Sequence, residues 1–147
     1  MKPNPEYDLL FLLRILEAAE KIRLYSTPFD DAESFFSCSD QKEFNACIYL
    51  LGQIGEQAKR LSDPTRKIGS DIDWGKLYGF RKRVVHDYVG IDKYITFEII
   101  KEAIPETIDK ISLLISTCLR KNHFNSDDIQ IARSSPYLRH VNFDNLK

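Results

Sequence analysis

The sequence predicts an all-α protein, a single antiparallel four-helix bundle. Three observations carry this. Apolar residues recur at helical spacing in successive stretches, no stretch shows the alternation of a strand, and the connections are short. A chain of 147 residues fits one domain with one substantial core. Its 43% hydrophobic and 29% charged residues are ordinary for a soluble globular protein.

The first helix spans about residues 5–25. Phe11, Leu12, Ile15, Ala18, Ala19 and Ile22 form its apolar side, with Arg14, Glu17 and Lys21 opposite, and it stops before Pro28. Residues 26–40, rich in Ser, Asp and Phe, read as a connection with room for one short helical turn. The second helix covers about 41–62, with Asp40 as N-cap and Glu43 completing a capping box. Its stripe is Phe44, Cys47, Ile48, Leu51, Ile54, Ala58 and Leu61, and Asp63-Pro64 ends it. Gly52 and Gly55 lie beside that stripe. Glycine costs about 1 kcal/mol against alanine inside a helix, so the pair points to a close helix or ligand approach.

After a polar loop, Asp73 caps a third helix expected to run through residues 74–88, with Gly90 terminating it. The fourth and longest helix spans about 92–120. Phe97, Ile100, Ile104, Ile108, Ile111, Ile115 and Cys118 form its buried face, and Pro105 is expected to kink it. These helices make a domain of residues 1–120. The remainder, 121–147, is polar with scattered aromatics (Phe124, Tyr137, Phe143), and a loosely packed extension is expected there.

Composition excludes several classes. No stretch approaches the roughly 20 apolar residues of a membrane span. The opening Met-Lys-Pro-Asn-Pro-Glu-Tyr-Asp lacks the apolar core of a secretion signal, so a cytoplasmic protein is expected. Cys38, Cys47 and Cys118 form an odd set without CxxC spacing, which argues against disulfides and structural zinc. Charge is uneven. Between residues 59 and 83, eight Lys and Arg face three Asp, a local excess of five in a chain of net charge −1. Such a face is suited to phosphates, although a charge run is as readily a solvated surface.

The third helix carries an anomaly. At about 100° per residue, Trp74, Leu77, Tyr78, Val85 and Tyr88 share one narrow sector, and Arg81 falls in its middle. His86 projects about 120° from Trp74, at the edge of the stripe. A guanidinium in an apolar stripe is costly unless paired or facing a polar surface. Three readings follow: a buried ion pair with Glu56, a dimer interface with Arg81 lining a groove between subunits, or a phosphate-chemistry site of Arg81 and His86. On an ideal helix those two residues do not share a face, so the third reading needs convergence through long side chains, fraying near Gly90 or juxtaposition across a dimer.

The motif Arg81-x4-His86-x-Tyr88 is preceded by Trp74-x2-Leu77-x-Gly79-Phe80 and followed by Gly90-Ile91-Asp92. With Ile54-Gly55-Glu56-x-Ala58-Lys59-Arg60-Leu61 and Pro105, it resembles the HepT-like branch of the HEPN superfamily over about residues 6–120. The resemblance implies a homodimeric four-helix bundle in which two Arg-x4-His motifs line one cleft. It implies a metal-independent ribonuclease without cofactor, the toxin of a type VII (HEPN/MNT) toxin–antitoxin pair. Arg81 and His86 would then be catalytic, and Tyr88 would be modified with AMP by a cognate MNT-type nucleotidyltransferase antitoxin. The chain departs from the pattern at Lys82, where the family commonly has a small polar residue; with Arg83 it adds charge expected to bind RNA, or marks the loss of that polar residue's contribution. An inactive partner or nucleotide-binding subunit of that transferase is the alternative reading.

Overall fold

The computed structural model describes residues 5–86 and 90–146. Helix α1 (Asp8–Ser26) follows a 3-10 turn at Pro5–Tyr7. Leu12, Ile15, Ala19 and Ile22 on the predicted stripe are fully buried, each large aliphatic contributing about 1.5–3 kcal/mol. The connection holds the short helix α2 (Ala32–Ser37), capped by the Asp31 side chain, and a 3-10 turn at Cys38–Gln41. Here the predicted capping box does not form. Ser39, Asp40 and Gln41 all have positive φ, so Gln41 takes the N-cap position and no side chain caps α3 (Lys42–Lys59). Left-handed backbone carries Asp40 away from the orphan amides it was expected to accept from.

Asp63-Pro64 opens a helix rather than only closing one. Helix α4 (Asp63–Ile68) uses the proline in its first turn, where the missing N–H costs nothing. Asp73 caps α5 (Trp74–Tyr78) as expected, accepting from the Lys76 amide at 3.1 Å. The predicted continuous third helix is broken, however. It stops at Gly79 and resumes as α6 (Phe80–Val84). Val85 is extended, and β1 (Val85–His86) pairs antiparallel with β2 (Gly90–Ile91). Gly90 has φ +83°, a conformation that glycine adopts without strain.

Asp92 accepts from the amides of Tyr94 and Ile95 and caps α7 (Lys93–Glu98). A π-turn at Ile99–Ala103 then leads into α8 (Ile104–Arg120). The Ile104 amide reaches back five residues to the Ile99 carbonyl. This wide turn stands where a kink was expected, and it eases the crowding that Pro105 would impose on a regular helix.

The core lies where α1 packs against both α3 and α8, with α5 and α6 packed on α3. The four-helix order is therefore kept, with its third member in two pieces. The tail, expected to be loose, is anchored. It forms α9 (Ser126–Arg133) and two 3-10 turns, and it buries Phe124, Ile129, Leu138, Val141, Phe143 and Leu146. The His140 amide and Nδ1 lie 2.6 and 2.7 Å from the Glu17 carboxylate. Glu17, assigned by periodicity to the polar side of α1, is consequently buried.

Candidate functional site

Two glycines on α3 set the geometry. A Cβ added at Gly55 would lie 3.1 Å from the Leu77 carbonyl oxygen and 3.2 Å from that of Tyr78. Only a residue without a side chain lets the backbone of α5 approach this closely. One turn earlier, a Cβ at Gly52 would lie 3.2 Å from Cδ of Arg81. The close approach suggested by the sequence is thus a helix backbone at Gly55 and the arginine side chain at Gly52.

Between α3 and α5–α6 runs an open groove of about 790 Å³. Arg81, Lys82 and Val85 line one side, and Tyr49, Gly52 and Glu56 the other. Arg81 is exposed and makes no hydrogen bond or ion pair among the described residues. The buried ion pair with Glu56 is therefore not formed. Glu56 is itself exposed and lies 3.8 Å from Lys59 on its own helix. The buried side is formed by Leu77, Phe80 and Val84, three and four residues apart, and Arg81 lies off it. An unpaired guanidinium in an open groove keeps its planar set of donors for an anionic ligand.

The end of α6 at Val84 bears on the facing problem. Val85 and His86 follow in extended backbone, so the angle between Arg81 and His86 on an ideal helix does not apply. The His86 backbone lies in β1, directly after the groove residue Val85, in register with Gly90. Tyr88, with Asp87 and Val89, lies outside the described residues. Lys82 joins Arg81 in the groove, whereas Arg83 is exposed but is not among the groove residues.

Sequence reasoning missed Tyr49, an exposed aromatic on the groove (59% accessible). Its signal was present, since a tyrosine off the apolar stripe of an amphipathic helix has no core to enter. Tyr78, counted in the apolar sector, is half-buried at the groove, and its hydroxyl accepts from Arg66 at 3.2 Å. Arg66 also donates to Asp63 at 2.8 Å. That bond holds the Asp63 carboxyl below the usual carboxylate range.

Sequence comparison identifies this arrangement. The family model described as "Ribonuclease HepT-like" matches residues 15–114, which include α3, Gly52, Gly55 and the whole Arg81–Tyr88 motif. The chain belongs to the HepT-like family. It is 29% identical over 106 residues to the "Probable ribonuclease HepT" of Thermococcus cleftensis, covering 71% of this chain and 92% of that one. It is 26% identical over 104 residues to a "Putative RNase" of Methanocaldococcus jannaschii, covering 71% and 93%. No solved structure shows a significant match. Within the HepT-like frame, residues 121–147 lie beyond the matched segment, although their apolar side chains close the same core.

Among the described residues, no helix is long and apolar enough to cross a membrane, and no cluster of three or more His, Cys, Asp or Glu is placed to hold a metal.

Proposed function

We propose that this HepT-like protein cleaves RNA by transesterification, with Arg81 and His86 as its catalytic residues. The observation that carries the reading is the exposed Arg81, unpaired among the described residues and laid across Gly52 in an open groove. One His86 removes the proton from a ribose 2′-hydroxyl, whose oxygen attacks the adjacent phosphorus. The bond to the 5′ oxygen breaks, a second His86 protonates that oxygen, and a 2′,3′-cyclic phosphate remains. An imidazole with a pKa near 6.5 serves as either base or acid around neutrality. Arg81 stabilises the charge that develops on the phosphorane oxygens.

Base and acid must stand on opposite sides of the phosphate, so the reaction calls for two copies of the motif. A homodimer sharing one cleft supplies them, and no metal ion or cofactor enters the scheme. Lys82 in the same groove, with Arg83 beside it, adds positive charge for the RNA backbone. In this reading the protein is the toxin of a HEPN/MNT toxin–antitoxin pair. A cognate nucleotidyltransferase silences it by adding AMP to Tyr88, placing a negative phosphate two residues from His86. Expression of the wild type, Arg81→Ala and His86→Ala in a bacterial host tests the toxin. Growth arrest with RNA degradation is expected from the wild type alone, and equal growth with intact RNA in all three would sink the proposal. Intact-mass measurement after incubation with the partner and ATP tests silencing, with an AMP-sized increment lost in Tyr88→Phe.

Lys82 also favours a second reading, a catalytically inactive subunit that binds nucleotide phosphates for the transferase. Tight ATP binding without any RNA cleavage distinguishes it.

A further inference from the structure

A second groove of about 410 Å³ lies on the other side of Tyr49, between α1, α3 and the tail. Tyr49 and Gln53 line both grooves, so the two form one continuous surface. Three cationic side chains, Arg14, Lys21 and Arg60, surround the second groove, with Glu17 as its acidic member. That carboxylate is already engaged by His140 and by Lys21 at 3.4 Å. The net field is positive, in a chain whose net charge is −1.

At this groove stands Tyr137, 83% accessible and the most exposed large hydrophobic side chain among the described residues. The segment carrying it is fixed in place. Ser135 Oγ accepts from the Tyr137 amide at 3.2 Å, Leu138 is buried, and His140 is held by Glu17. An aromatic ring held out in solvent by an anchored segment has no role in the core. Gln57, also lining the groove, is only 6% accessible, and its Oε1 has no hydrogen-bond partner among the described residues. A buried acceptor left without a donor is unfavourable unless something else supplies one.

We infer that the second groove is a subsite for single-stranded RNA leading away from the Arg81 groove. A base stacks on Tyr137, and phosphates meet Arg14 and Arg60. This inference rests on the proposed ribonuclease reading. Cations interleaved with aromatic platforms suit an unpaired strand, because every base has a face to stack and every linkage a negative charge. Of the ten lining residues only Ala18 and Leu50 are aliphatic, so the groove offers charge and ring faces in place of the apolar centre that a protein interface buries. The tail, lying beyond the family match, thereby acquires a function besides closing the core.

The test is fluorescence anisotropy with a labelled single-stranded oligoribonucleotide of about 12 nucleotides, in full-length protein carrying His86→Ala so that the probe survives. Adding Tyr137→Ala is expected to weaken binding about tenfold, the loss of one stacked base, and Tyr137→Phe to restore it. Arg14→Gln is expected to lower the salt-dependence slope by about 0.7. In protein that retains His86, Tyr137→Ala is expected to slow cleavage of the long probe at subsaturating concentration while leaving that of a trinucleotide unchanged. Affinity unchanged by both substitutions, or no binding by any version, overturns the subsite. If the wild type binds the probe through Tyr137 but never cuts it, the ribonuclease reading fails while the binding surface stands.

Discussion

The side chain of Arg81 packs across Gly52, its Cδ 3.2 Å from where a Cβ would stand, and its guanidinium is left without a partner among the described residues. Absence of a side chain on one helix thus positions a cation on another. Gly55 does something different, giving room to the carbonyls of Leu77 and Tyr78.

The two glycines should therefore respond differently to alanine. In Gly52→Ala the new methyl meets a flexible side chain, and the helix gains up to about 1 kcal/mol of propensity. Stability is expected to hold or rise while RNA cleavage falls severalfold. In Gly55→Ala the methyl meets backbone, and a net loss of about 1–3 kcal/mol is expected. Urea denaturation and cleavage rates of both variants check this. Equal effects on stability would contradict the assignment.

The tail offers a second prediction. Leu138 is 3% accessible, so Leu138→Ala should cost about 2–4 kcal/mol. At roughly 2–4 °C per kcal/mol for a chain of this size, the Tm should drop by about 4–16 °C. An unchanged melting curve would mean that residues 121–146 are not part of the cooperative core.

A third prediction concerns alkaline pH. Burial pushes the Cys47 thiol up to about 12 from an ordinary 9.0, with Glu43 adding to the effect. The unfolded chain therefore loses this proton first as pH rises. The contribution is full below pH 9 and is lost as pH climbs from 9 towards 12, at about 1.4 kcal/mol per pH unit. The urea midpoint should fall between pH 8 and pH 10, and Cys47→Ala should flatten that fall. At pH 8, alkylation should modify the half-buried Cys38 well before Cys47 or Cys118.

Much of the fold was legible because long helices announce themselves by period. The stripes of α1, α3 and α8, and the cap at Asp73, follow from spacing and side-chain chemistry. The break at Gly79 was not legible. Residues 80–86 carry a pattern compatible with continued helix, and the buried Leu77, Phe80 and Val84 have the spacing of an unbroken one, so periodicity does not mark the interruption. The cap at Asp40 failed for a related reason, since a run of three left-handed residues is a property of the surrounding fold. The tail's buried residues lack a regular period, so periodicity could not find them.

For the site, the motif drew attention to Arg81 and His86, but the apolar sector drawn around Arg81 is not the buried side, which Leu77, Phe80 and Val84 form instead. Tyr49 and Tyr137 were overlooked because neither belongs to the motif, and the groove that joins them exists only after α3 and the tail pack together.

The most direct measurement is cleavage of an end-labelled single-stranded RNA by purified protein in excess EDTA, with product ends identified by mass spectrometry. The account predicts fragments ending in 2′,3′-cyclic phosphate, with rates falling by about 100-fold or more in Arg81→Ala and His86→Ala. Cleavage abolished by EDTA, or a folded Arg81→Ala protein cutting at the wild-type rate, would contradict it.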